Sequence, residues 1–151
     1  MWSHVVRPDD LVLLLGNVSA DKVGYWFNVI SGLPGRKRLM LGSDDRYRTT
    51  WYKKWDFEDV VPFHRALLLD SAHGQVMFTH LPAFRTVIHN DKFANITENF
   101  AHLYQSRSCI LNVHGHTRGK GHYDRRAFDA SIEATNEQLL TLDQILERAW
   151  K

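Results

Sequence analysis

The sequence predicts a single-domain α/β or α+β sandwich, and three observations carry that expectation. Short apolar runs alternate with longer polar or helically spaced segments along the 151 residues, the pattern of strands interleaved with helices. The first run, residues 11–15, is apolar on both faces, as a strand covered on both sides would be. Polar residues able to bind ligands follow the runs directly, which is where open α/β sheets gather their sites.

Residues 11–15 (Leu-Val-Leu-Leu-Leu) form the first expected strand, ended by Gly16. Residues 20–30 carry Val23, Trp26, Phe27 and Ile30 at helical spacing, and Ser31-Gly32-Leu33-Pro34-Gly35 stops that helix. A second strand covers 37–41 up to Gly42, followed by a polar stretch with helical potential through Lys54. Residues 66–70 and 75–79 read as a hairpin turning at Ser71-Ala72-His73-Gly74. Ile96, Phe100, Leu103 and Tyr104 mark a helix over 96–105, and 108–113 and 130–133 are further expected strands. Thr141, with Gln144 three residues on, is the expected cap of a closing helix. The chain has no internal repeat, low-complexity segment or linker, so one domain over 1–151 is expected.

Hydrophobic residues make up 44% and charged residues 24%, enough apolar material for a real core and against intrinsic disorder. The net charge of +2 is mildly basic and does not point to nucleic acid as a partner. The one cysteine, Cys109, lies in an apolar run and is expected to be a buried hydrophobe. The longest apolar run is far too short to span a membrane, and residues 1–4 lack a signal-peptide pattern. A cytoplasmic protein is expected, in the host cytoplasm if a phage encodes it. Nine histidines are the one compositional hint of metal chemistry. His4, His64, His73, His89, His102 and His122 lie in polar or turn-like surroundings and are expected at the surface.

Four runs end in turns holding possible metal ligands: Gly16-Asn17-Val18-Ser19, Gly42-Ser43-Asp44-Asp45, Thr79-His80-Leu81-Pro82 and His114-Gly115-His116. Neutral imidazole is a common metal ligand, which makes the His-Gly-His turn informative in this company. Read without that company, His80 would simply hydrogen-bond in a turn, and Asp44 and Asp45 would cap a following helix. Arg36-Lys37-Arg38 and Arg118-Gly119-Lys120 could guide a phosphate group, although solvated surface charge is the commoner use. The aromatic stretch 51–57 could stack nucleotides, with packing against the sheet the expectation.

In these motifs the chain resembles the calcineurin-like metallophosphoesterases, above all the small bacterial and bacteriophage-type members. Their order is Asp-x-His, Gly-Asp, Gly-Asn-His-Asp, a histidine in Thr-His-x-Pro, then Gly-His-x-His. The resemblance covers nearly the whole chain and extends to framework such as Arg7-Pro8-Asp9-Asp10, Leu33-Pro34-Gly35-Arg36-Lys37, Asn112-Val113 and Ser131-Ile132-Glu133-Ala134-Thr135. It implies two mixed sheets flanked by helices. It also implies metal-ligand positions at Asn17, His80, His114 and His116, with Ser43, Asp45 and Arg118 beside the ligand.

The departures imply loss of function. The Asp-x-His strand would lie upstream of Arg7, so the usual first strand and two ligands are expected to be missing. Asn17 stands where the family has its bridging aspartate, and Ser43-Asp44 replaces Asn-His, so Asp44 occupies the position of the family histidine. Two dications about 3.5–4 Å apart repel by about 18 kcal/mol at an effective dielectric of about 20, and a neutral Asn17 cannot offset that. The cofactor expectation is therefore none, or one weakly held Mn²⁺, Zn²⁺ or Ni²⁺ through Asn17, Ser43, His80 and His114. The expected role is a domain inactive or nearly so that binds a protein or a nucleotide-like ligand, the alternative being a single-metal phosphodiesterase. An exposed sheet position would suit a partner strand or a homodimer.

Overall fold

The computed structural model describes residues 2–18, 21–84, 91–119 and 124–151. Ser19, Lys120, His89 and His122 of the sequence reading lie outside the described residues. The chain is mixed α/β with two sheets, in two compact units, Met1–Phe63 and His64–Lys151.

In the first unit, helix α1 (Trp2–Val5) precedes strand β1 (Leu11–Leu14), helix α2 (Val23–Ser31) and strand β2 (Arg36–Met40). A single turn of helix, α3 (Thr49–Tyr52), then leads to β3 (Asp59–Val61). The sheet order is β1-β2-β3, parallel throughout, with Leu11 opposite Arg36 and Arg38 opposite Asp59. That corrects the expectation of two mixed sheets, because each connection here is a crossover that returns the chain in the same direction. Strand β3 was not foreseen; its three residues are too few to show a period. β1 is half-buried at every residue rather than fully covered.

Phe27, Leu39, Leu41, Tyr52 and Val60 form the core of this unit, with Trp51, Trp55 and Phe57 packed around them. The aromatic stretch thus packs inward, as expected. Phe27 and Ile30 are buried on α2, but Trp26 is 48% exposed. Val23, Phe27 and Ile30 share a face at spacings of four and three, and Trp26, about 100° round from Phe27, lies at the edge of that face.

The second unit opens with the hairpin β4 (Leu67–Ser71) and β5 (Gly74–Thr79), antiparallel with Leu67 opposite Phe78. Helix α4 (Ala94–Ser106) carries the chain to β6 (Leu111–His114), then β7 (Ala127–Asp129) and helix α5 (Leu142–Ala149). The sheet order is β4-β5-β6-β7, with β5, β6 and β7 mutually parallel. The hairpin, α4 and the capping box of Thr141 with Gln144 form as the sequence predicts. Cys109 is buried, and burial pushes its thiol above the usual range.

The strand expected at 130–133 is instead β7 at Ala127–Asp129, with turns from Ile132 to Glu137. Local polar bonds win there. Asp129 accepts from the Ser131 N–H at 2.9 Å, and the Thr135 N–H and hydroxyl both donate to the Ser131 carbonyl. Ile132, the apolar residue that suggested a strand, is left 68% exposed.

Candidate functional site

The loops after β1 and β2 leave neighbouring parallel strands at the same end, so the first two motif turns meet. The Asn17 side chain accepts from the Asp44 backbone N–H at 3.0 Å and donates from Nδ2 to the Asp44 carboxylate at 3.3 Å. Asp45 closes the other side: its Oδ2 accepts from the Gly42 N–H at 2.6 Å and the Asn17 N–H at 3.1 Å. Asn17 holds φ at 51°, a left-handed conformation that asparagine tolerates better than most residues.

Gly42 must be glycine for this fit. A Cβ there would overlap Asn17 Oδ1 and N and stand 2.7 Å from its Cγ. Burial raises the Asp45 carboxyl above the usual carboxylate range, against the two N–H groups that pull it back and with Asp44 adding to the rise. The alternative role of Asp44 and Asp45 as helix caps does not hold: α3 starts at Thr49 with Arg48 at its N-cap, and both carboxylates turn to the clamp.

In the second unit, β5 and β6 run parallel with Thr79 opposite His114, which brings the third and fourth motif turns to one sheet end. The Gly115 N–H donates to the His80 carbonyl at 3.3 Å. His80 and His114 are buried at 0% and 4% exposure, unlike the exposed His4, His64, His73 and His102. His116 Nδ1 stands 3.1 Å from His80 Nε2, with the two rings crossed at 72°. A contact of that length between imidazoles holds one shared proton when no ion is present.

Two residues that position these turns were not identified as such from sequence. Asn112, fully buried, donates to Thr79 Oγ1 at 2.8 Å and the Met77 carbonyl at 3.2 Å, and accepts from the Ala83 N–H at 2.8 Å. It ties the turn after His80 to strand β6. Asp129 accepts from the Thr117 hydroxyl at 2.5 Å and the Gly119 N–H at 2.8 Å, fixing the turn that follows His116. Arg118 sits on that turn, exposed, with φ at 51°. Burial works to raise the Asp129 carboxyl, but the bonds from Thr117, Ser131 and Gly119 together bring it below the usual range. An aspartate two residues before a serine is the local Asx-turn signal that could have found it.

Asn17 thus lies with Ser43, Asp44 and Asp45 in the first unit, and His80 with His114 and His116 in the second. Two imidazole nitrogens at about 2.1 Å from one ion stand about 3.0–3.4 Å apart, so the His80–His116 spacing suits two ligands of a single ion. The resemblance pairs His80 with His114 instead. Among the described residues, no three His, Cys, Asp or Glu side chains are grouped to hold a metal.

No family model matches the chain. It is 26% identical over 137 residues to Gene 66 protein of Mycobacterium phage D29, covering 80% of this chain. The chain spans 63% of the length of that phage protein. Similarity to a phage protein agrees with the bacteriophage-type expectation. The crystal structure of AQ665, a protein of unknown function from Aquifex aeolicus, matches with a TM-score of 0.72 at 21% identity. That match covers 91% of this chain and 75% of the Aquifex chain, and shows the fold alone. Among the described residues no helix is long and apolar enough to cross a membrane.

Proposed function

We propose that the chain is a degenerate calcineurin-like metallophosphoesterase domain that does little or no hydrolysis and acts by binding. The Asn17–Asp44–Asp45 clamp is the observation that carries this proposal. On that reading, the side chain standing for the bridging aspartate is neutral, and both its oxygen and its amide nitrogen are committed to Asp44. To coordinate a cation, Asn17 Oδ1 would have only its second lone pair, a neutral and weaker donor than a carboxylate. We place the domain in the cytoplasm, the host's where a phage encodes it, where its lone cysteine needs no partner. Its apolar edge strand β1 is where an added strand, from a partner or a second copy, would pair.

The His80–His116 spacing favours a second reading, a single-metal phosphodiesterase in which these imidazoles hold one ion. One experiment separates the two. The protein is purified with Mn²⁺, Zn²⁺ or Ni²⁺, its metal content measured, and a chromogenic phosphodiester assayed. The binding role predicts substoichiometric metal and turnover no faster than buffer. One tightly held ion, with turnover abolished by His80→Ala or His114→Ala, establishes the enzyme instead.

A further inference from the structure

Residues 46–55 read Arg-Tyr-Arg-Thr-Thr-Trp-Tyr-Lys-Lys-Trp, four cations and four aromatics with no acid. Sequence alone suggested that the later aromatics could stack bases, yet Trp51, Tyr52 and Trp55 turn into the core. Tyr47 does not. Its ring lies on Trp51 with centroids 4.3 Å apart and planes 15° apart, and it remains 46% exposed. One face is therefore held by Trp51 while the other is open. Lys54 Nζ, 4.1 Å from the Trp51 ring centre, and Tyr52, edge-on to Tyr47, hold the stack in place. An aromatic ring fixed before binding loses little side-chain freedom when a second ring lands on it.

Close to Tyr47 in sequence, Arg46, Arg48 and Lys53 are exposed, and none of them pairs with a carboxylate among the described residues. The acids nearest in sequence are engaged elsewhere: Asp44 with Asn17, Asp45 with Gly42 and Asn17, and Asp56 with Lys37 at 3.7 Å. The surface thus offers a half-exposed aromatic ring with three cations close in sequence that form no ion pair among the described residues. A duplex keeps its bases stacked on each other and cannot present one to such a ring, whereas a single strand can.

We propose that Tyr47, backed by Trp51 and flanked by Arg46, Arg48 and Lys53, is a binding platform for single-stranded nucleic acid. One base stacks on Tyr47 and the neighbouring phosphates meet the three cations. The surface uses none of the motif positions Asn17, Ser43, His80, His114 or His116, so it holds whether or not the domain hydrolyses anything.

The test is fluorescence anisotropy of the full chain with labelled single strands of about 12 nucleotides, oligo-dT and oligo-U, a length one small domain can cover. A matched duplex and an acidic glutamate-rich peptide complete the panel. Binding of one or both single strands is expected, the two probes deciding between DNA and RNA. Affinity should fall with salt at a log–log slope of about −2, for three phosphates at about −0.7 each. Tyr47→Ala should weaken binding by about 5- to 100-fold, the loss of one base stack, while Tyr47→Phe retains it. Arg46→Ala with Arg48→Ala should flatten the salt slope. If Tyr47→Ala does not fold, the double arginine variant and Tyr47→Phe decide the matter. Absence of binding at low salt, equal or tighter binding of the duplex or the acidic peptide, or binding indifferent to Tyr47→Ala overturns the assignment.

Discussion

Replacing Asn112 by leucine isolates what holds the His80 turn. The two side chains have nearly the same shape, so the change removes polar bonds and opens no cavity. Three bonds are lost at a site with no exposure: those to Thr79 Oγ1, the Met77 carbonyl and the Ala83 N–H. A buried group stranded without a partner costs about 1–3 kcal/mol, and the Ala83 N–H is the one most completely stranded. The two acceptors lose less, because an oxygen has a second lone pair to use. The expected loss is about 2–4 kcal/mol, read as a lower urea midpoint at unchanged slope. Amide exchange at Ala83 should accelerate in parallel. A loss below about 0.5 kcal/mol with Ala83 still protected would refute the anchoring role.

Asn112→Asp refines the same experiment, because it keeps the acceptor for Ala83 and replaces the donor toward Met77 and Thr79. A carboxylate there faces two oxygens in a dry site, so its folded-state pKa should stand above the unfolded value of about 3.9. A raised folded pKa gives stability that is present in acid and lost as pH rises through the folded pKa. The variant should therefore lie closest to wild type in acid and fall behind as the pH rises toward neutral.

Gly42→Ala should destabilise the first unit by about 1–3 kcal/mol, because its Cβ meets the Asn17 backbone as well as the side chain; chemical-shift changes at Asn17 and Asp44 would report it, and wild-type stability would oppose it. For Asp129 the folded pKa is lowered, so its contribution is present above the unfolded pKa and lost as pH falls through the folded one. Asp129→Asn should accordingly destabilise at neutral pH and converge on wild type in acid, as urea unfolding across pH would register. In a double-mutant cycle, Asn17→Asp and Asp44→His should couple by about 1 kcal/mol or more, since each residue bonds the other directly; additivity would deny the clamp.

What the sequence made legible was whatever repeats with a period or sits in a local signature. The β4–β5 hairpin carried its turn, α4 its helical spacing and α5 its capping box, and each forms close to the expected boundaries. Tertiary and local competition set the misses. Trp26 has the spacing of a core residue, but Phe27 and Ile30 already occupy the inward face. Ile132 lies in a strand-like run, but Ser131 and Asp129 supply turn bonds that a ladder would have to replace. Within each unit the motif turns meet as strand order requires. Their side-chain partners were not legible, because a bond such as Asn17 to Asp44 joins residues 27 apart in sequence.

That bond also decides which residues positions 17 and 44 tolerate together. An aspartate at position 17 would set its carboxylate against Asp44, whose Oδ2 lies 3.3 Å from Asn17 Nδ2. Two like charges at that distance repel by about 1 kcal/mol even at the dielectric of water. A bound cation would screen the pair; without one, an amide at position 17 removes the repulsion and adds a donor. Conversely, with Asn17 in place, an imidazole at position 44 would lose the carboxylate oxygen that Nδ2 now reaches. Each substitution is favourable chiefly in the presence of the other. Asn17 and Asp44 therefore act as one coupled pair rather than as two independent positions. Asn17→Asp alone should weaken the fold before it supplies any affinity for metal.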